Sequence, residues 1–185
     1  MNTAMIQKIW AGITLSLLML SIANAQPVKD TEITFKIKNA GLTVNGSLQG
    51  FEGNIDFNPN DLQSSKITAS VQVETIDTGI GMRDKHLKKD DYFDVEKYPK
   101  ITMVSKSFTT KNDGSYEGIF DLTIKGHTEE ITLPFSISDN SGTRTFSANF
   151  ELDRRDYGVG GNSFLLSDKV EAFIKVETEL PQAGR

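Results

Sequence analysis

Arg83–Met103, RDKHLKKDDYFDVEKYPKITM, interrupts a chain that otherwise alternates apolar and polar residues with the period of two of a half-buried strand. Within it the alternation stops. Met82, His86 and Leu87 fall at offsets that share one face of a helix, and Arg83, Asp84, Lys85, Lys88 and Lys89 are charged. Tyr92 and Phe93 follow as an apolar plug hemmed by Asp90, Asp91 and Asp94. Tyr98 precedes Pro99, whose ring pushes it toward extended backbone, so the helix has to end before it. Alternation resumes at Ile101. One helical insert with an aromatic plug, set among strands, predicts a lid on a closed sheet.

Upstream of the lid, Ile33, Phe35 and Ile37 share one face of a strand over 31–38. The stretch 42–57 changes register: Leu42, Val44, Gly46 and Leu48 share one parity, Phe51, Gly53, Ile55 and Phe57 the other. A bulge near Gly50 reconciles them. Asn58-Pro59-Asn60-Asp61 is a turn, and 65–76 alternates cleanly, with Ile67, Ala69, Val71 and Val73 inward. Downstream, 101–110, 118–125, 128–138, 143–153 and a last strand through Val170, Ala172, Ile174 and Val176 are separated by Asn112-Asp113-Gly114, Gly126-His127, Asp139-Asn140-Ser141-Gly142 and a glycine-rich loop at 157–162.

This makes about eight antiparallel strands with no crossover helices, each wet on one face only. An all-β, eight-stranded antiparallel barrel capped by a helical segment removes every sheet edge and has room for side chains or one ligand. A two-sheet sandwich is the alternative, and the long strands favour the barrel. Gly46, Gly53, Ala69, Ser105, Ala148 and Ala172 all sit at inward parity. Either they leave space inside, or they interlock with the inward phenylalanines; parity leaves both open.

Residues 1–25 read as a cleaved secretory signal, with Lys8, an apolar run from Ile9 to Ile22, and Ala23-Asn24-Ala25 as an A-x-A site. The mature domain is then 26–185, expected in the periplasm, with no membrane span once the signal is cut. The 185-residue chain has no cysteine, which removes disulfides, thiol catalysis, zinc-thiolate sites and a lipidated N-terminal cysteine. A net charge of −5 with interspersed signs argues against nucleic acid and disfavours docking on anionic headgroups.

The two histidines, His86 and His127, come without G-x-S-x-G or H-E-x-x-H, so no catalytic residue, metal or cofactor is assigned. His86 among Asp84, Asp90 and Asp91 reads as a structural hydrogen bond. Parity sends Arg154 inward, where it either grips an anionic head group or pairs with Asp84 or Asp94 to hold the lid shut. The 157–162 loop reads as flexible rim. Phe173, apolar on the outward side of the last strand, is the one hint of a homodimer.

Three segments together resemble the YceI-like family. They are Arg83-Asp84-x-His86-Leu87-Lys88 … Asp91-Tyr92-Phe93-Asp94-Val95-Glu96-Lys97-Tyr98-Pro99-x-Ile101-Thr102, then Asp121-Leu122-Thr123-Ile124-Lys125-Gly126-x-Thr128, then Asp153-Arg154-Arg155-Asp156-Tyr157-Gly158 with Ser167-Asp168-x-Val170. Lys89, Tyr92 and Met103 depart mildly from the family pattern. The resemblance implies an extended lipocalin-like barrel and an exported protein holding a polyisoprenoid or similar long-chain lipid in an apolar pore. Ten residues of strand span about 33 Å, the scale of an extended isoprenoid tail. The expected pore wall is Phe35, Phe51, Phe57, Leu87, Tyr92, Phe93, Ile101, Phe120, Phe146 and Phe150, with Arg154 and Asp84 as the head-group or lid ion pair. An enzyme acting on an isoprenoid or quinone, and a structural protein with a filled barrel, are the alternatives.

Overall fold

The structure is a computed structural model and describes residues 26–180; the signal reading of 1–25 lies outside them. Eight strands run as an antiparallel meander: β1 (Val28–Asn39), β2 (Leu42–Asp56), β3 (Lys66–Asp77), β4 (Lys100–Thr110), β5 (Tyr116–Ile124), β6 (His127–Asn140), β7 (Thr143–Asp153) and β8 (Leu166–Glu179). β1 pairs with both β2 and β8, which closes the barrel. The helix α1 (Gly81–Leu87) sits in the β3–β4 connection, as the broken alternation predicts. Among the described residues no helix is long and apolar enough to cross a membrane.

Of the register irregularities in the barrel, two lie between β2 and β3. Gly50 has φ +69°, and the β2–β3 register slips between Gln49 and Glu52, so the parity change falls at the predicted bulge. β3 also breaks near its end, where Val73 and Ile76 are both buried although their parities differ. Thr75 fills that break, accepting a hydrogen bond from the Gln49 amide (2.7 Å) and donating to the Gln72 carbonyl (2.6 Å). The break carries the chain from the sheet into the lid.

The meander gives the barrel two unlike ends. At one, the β2–β3 connection and the β4–β5 and β6–β7 turns close over an aromatic plug. Phe57 is its centre, 1% exposed, with edge-to-face contacts to Phe108 (5.2 Å), Tyr116 (5.2 Å), Phe135 (5.5 Å) and Phe146 (5.9 Å). Each such pair adds about 0.5–1.5 kcal/mol beyond area burial. Gly118 makes this possible: a Cβ there would lie 2.4 Å from the Phe120 ring and 3.1 Å from Phe108. Gln26 ties the chain down, its side-chain amide donating to the Phe57 carbonyl and its amide oxygen accepting from the Thr178 hydroxyl.

At the other end lie the β1–β2 turn, the lid, the β5–β6 turn and the β7–β8 loop. Leu122, Ile124, Tyr157 and Val159 form a second core there, with Tyr92, Phe93 and Ile101 against it.

Truncating the centre of the plug tests this division. Phe57→Ala costs about 3–5 kcal/mol in urea unfolding, and Phe150→Ala, whose half-buried ring stands between the two cores, costs less than half as much. Equal losses would mean that the barrel is packed uniformly along its length.

Candidate functional site: an apolar tunnel under the lid

Between the two cores runs a cavity of about 550 Å³, inside the range of small-molecule sites. Its middle is made by small inward residues: Ala69 of β3, Ala148 of β7 and Ala172 of β8 all line it. The glycines behave differently. Gly46 lies under the Phe35 ring and Gly53 under the Phe51 ring, where a Cβ would come within 2.2 and 2.7 Å. These glycines lay the two aromatics flat against the wall. Inward residues of β1, β7 and β8, such as Ile37, Phe150, Leu152 and Ile174, are only half-buried, because the surface they retain lines the cavity.

Of the expected pore wall, Phe35, Phe51, Phe120, Phe146 and Phe150 from the strands line the cavity, as do Leu87, Tyr92, Phe93 and Ile101 at the lid. Phe57 does not. The four rings around it enclose it in the plug, so its inward parity places it below the tunnel floor.

The lid is held from beneath. The Gly160 amide donates to the Asp91 carbonyl (2.9 Å), and the Tyr92 ring lies so close over Gly160 that a Cβ there would meet it at 2.7 Å. The Lys125 ammonium bridges the carbonyls of Asp90 (2.7 Å) and Gly158 (2.9 Å). Gly158 and Gly160 have φ of +64° and +70°. The glycine-rich loop is therefore the seat of the lid rather than a free rim. His86 makes the expected local bond, Nε2 lying 3.0 Å from Asp91 Oδ2, with its ring edge-on to Tyr92 at 5.0 Å.

The expected lid ion pair is corrected. Arg154, 3% exposed, uses all five of its N–H groups on the 159–168 segment. Nε donates to the Ser167 carbonyl (2.9 Å) and Nη1 to those of Val159 and Gly161 (both 2.7 Å). Nη2 donates to the Leu166 carbonyl (3.3 Å) and to Asp168 Oδ1 (3.0 Å). Its carboxylate partner is Asp168, which also takes Arg155 at 3.1 Å. Asp84 instead accepts from the Thr78 amide (2.9 Å) and hydroxyl, while Arg83 donates to the Thr78 hydroxyl and carbonyl (both 2.7 Å). Asp84 thus latches the β3–α1 turn. With its donors consumed, Arg154 holds the seat together and offers no free fork to an anion.

Sequence reasoning missed Tyr157 and Val159, buried under the lid inside a segment read as rim. Burial first, then the carboxylates of Glu129 and Asp156, pushes the Tyr157 hydroxyl up to about 12. At the other extreme, the Arg155 guanidinium draws Asp153 down to about 2. Phe173, proposed as a dimer contact, is half-buried with the Lys36 ammonium 4.8 Å over its ring.

Among the described residues the walls carry no carboxylate. The ionisable residues lining the cavity are Arg83, His86, Tyr92, Arg154 and Tyr157, and the topology puts all of them at the lid end. A closed meander barrel with an apolar bore, a stopper at one end and a lid at the other defines a lipocalin-like class. Within that class the chain belongs to the YceI-like domain family, whose pattern matches residues 25–180. It is 29% identical over 188 aligned positions to a UPF0312 protein of Yersinia pestis, covering 94% of this chain and 97% of that one. The fold is similar to that of Burkholderia cenocepacia BcnA (TM-score 0.76, 23% identity, 80% of this chain and 96% of that one). It is also similar to a polyisoprenoid binding domain from Saccharophagus degradans (TM-score 0.64, 13% identity, 85% and 98%).

Alkaline titration checks the buried tyrosine. The unfolded chain releases the Tyr157 proton near pH 10, whereas the folded chain holds it until about pH 12. Its contribution is complete below pH 10 and is lost as pH rises from about 10 to 12. Followed at 295 nm, one of the four tyrosines ionises last, near pH 12 or with unfolding, and Tyr157→Phe abolishes that step. A late step that survives in Tyr157→Phe contradicts the assignment.

Proposed function

We propose that this protein is an exported, non-catalytic binding protein that holds a polyisoprenoid or other long-chain amphiphilic lipid in its tunnel, for carriage, storage or sequestration in the periplasm. The observation that carries this reading is the cavity itself: about 550 Å³, walled by aliphatic and aromatic side chains, with no carboxylate lining it among the described residues. Each buried CH₂ of a cargo contributes about 0.8 kcal/mol, so a chain of many isoprene units is held tightly by area alone. The family membership and the likeness in fold to a polyisoprenoid binding domain support the same ligand class.

The polar lining residues support one direction for the cargo. Arg83 and His86 stand at the lid and the aromatic plug stands at the opposite end, so the head of an amphiphile lies under the lid and its tail runs toward Phe120 and Phe146. Catalysis on such a chain needs a general acid or base inside the bore. Among the described residues the walls supply no carboxylate, each N–H of Arg154 already has an acceptor, and the lining imidazole of His86 is engaged by Asp91.

Organic extraction of the purified protein followed by mass spectrometry yields a long-chain lipid at near one equivalent. Ala148→Phe with Ala172→Phe puts two rings into the middle of the tunnel and lowers that content several-fold while the barrel still folds. No extractable lipid from the wild type, or an undiminished content in the double variant, contradicts the proposal.

A further inference from the structure

The exposed apolar side chains of this barrel are not scattered. Among the described residues, the large hydrophobic side chains most open to solvent are Leu42, Ile80, Met82, Val104, Phe164 and Leu165, and all but Val104 lie at the lid end. Leu42 follows the β1–β2 turn, Ile80 and Met82 begin the lid, and Phe164 and Leu165 end the β7–β8 loop. These segments adjoin one another. The Ala40 amide donates to the Leu165 carbonyl (2.7 Å), Asn39 pairs with Leu166, and Ser47 pairs with Asp77 at the start of the lid.

They also form the lip of the tunnel, since Asn39, Val44, Ile80, Met82 and Leu166 line its cavity. The part of the lip that carries these side chains is uncharged, whereas the charged stretch of α1 that begins at Arg83 flanks it. Residues 39–47, 78–82 and 157–167 contain no Asp, Glu, Lys, Arg or His, in a chain that is 24% charged.

Water-facing Phe164 and Met82, the latter 84% exposed, are costly to keep in solution and mark an interaction surface. We propose that this rim is a docking surface for a lipid bilayer: Leu42, Met82, Phe164 and Leu165 enter the acyl boundary, and the tunnel mouth between them meets the membrane. The proposal rests on the carrier reading for its purpose, because a cargo this apolar passes between membrane and protein only if the mouth is never exposed to water during transfer. An uncharged apolar patch on a chain of net charge −5 enters by apolar burial and not by attraction to headgroups. Docking is therefore insensitive to salt and to anionic lipid.

Vesicle flotation tests this with the purified, cargo-bearing protein. The wild type floats with phosphatidylcholine vesicles and with phosphatidylethanolamine–phosphatidylglycerol vesicles alike, at low and at high salt. The variant L42S/F164S/L165S changes no residue of the cavity wall and keeps the wild-type lipid content on extraction. Its partition into vesicles falls by at least about tenfold. A wild type that stays in solution with every vesicle overturns docking even if extraction finds the cargo. Flotation by a protein without extractable lipid supports docking and removes the carrier reading instead. A dimer in sedimentation that the triple variant dissolves makes the rim a contact between two copies of this chain and overturns the proposal.

Discussion

An eight-stranded barrel has an interior that its own side chains are able to fill, and this one leaves the middle of that interior open. The constraint falls on three positions. Ala69, Ala148 and Ala172 stand on β3, β7 and β8 where a solid core would carry larger groups, and all three line the void. At about 24 cal/mol per Å³, an unfilled apolar space of this size costs on the order of 10 kcal/mol, comparable to the whole stability of a domain. A bound apolar chain, as proposed above, would offset that cost, and the apolar walls suit one.

The rest of the molecule serves to bound that space. Edge-to-face packing around Phe57 concentrates rigidity at one end, and closure of β1 on β8 leaves no sheet edge along the sides. The open end is finished by a different device. A buried guanidinium, Arg154, gathers the carbonyls of a loop that has no regular structure of its own, and that loop carries the lid on Gly160 and Tyr157. Buried charge is expensive unless every donor is met; here each is met, and the loop conformation is what meets it.

Much of this was legible in the chain. Period-two alternation specifies one buried face per strand, so strand number, the bulge at Gly50 and most of the inward set follow from residue types; the parity breaks near Thr75 and between Ser105 and Ser107, which bury Ile76 and Phe108, do not. The break at Arg83–Met103 likewise marks the lid. Two kinds of information were not legible. Parity says which way Phe57 points but not how deep along the barrel axis it lies, because depth depends on the stagger of all eight strands. The partners of Arg154 are mostly backbone carbonyls, and no spacing of acidic residues announces those; Asp84 and Asp94 were nearer guesses than Asp168 only because they belong to the lid. Tyr157 was hidden for a related reason: glycine-rich sequence reads as solvent loop until the turn at Gly158 and Gly160 folds it under the lid.

A carrier of this design has a bore that foreign matter fills. Scanning calorimetry of delipidated protein, with and without an added long-chain isoprenoid alcohol, tests that most directly. The stripped protein unfolds at a lower temperature and regains the loss as the alcohol is added, in proportion to the logarithm of its free concentration. Identical unfolding temperatures in the stripped and replenished samples would show that the barrel's own side chains already fill its centre.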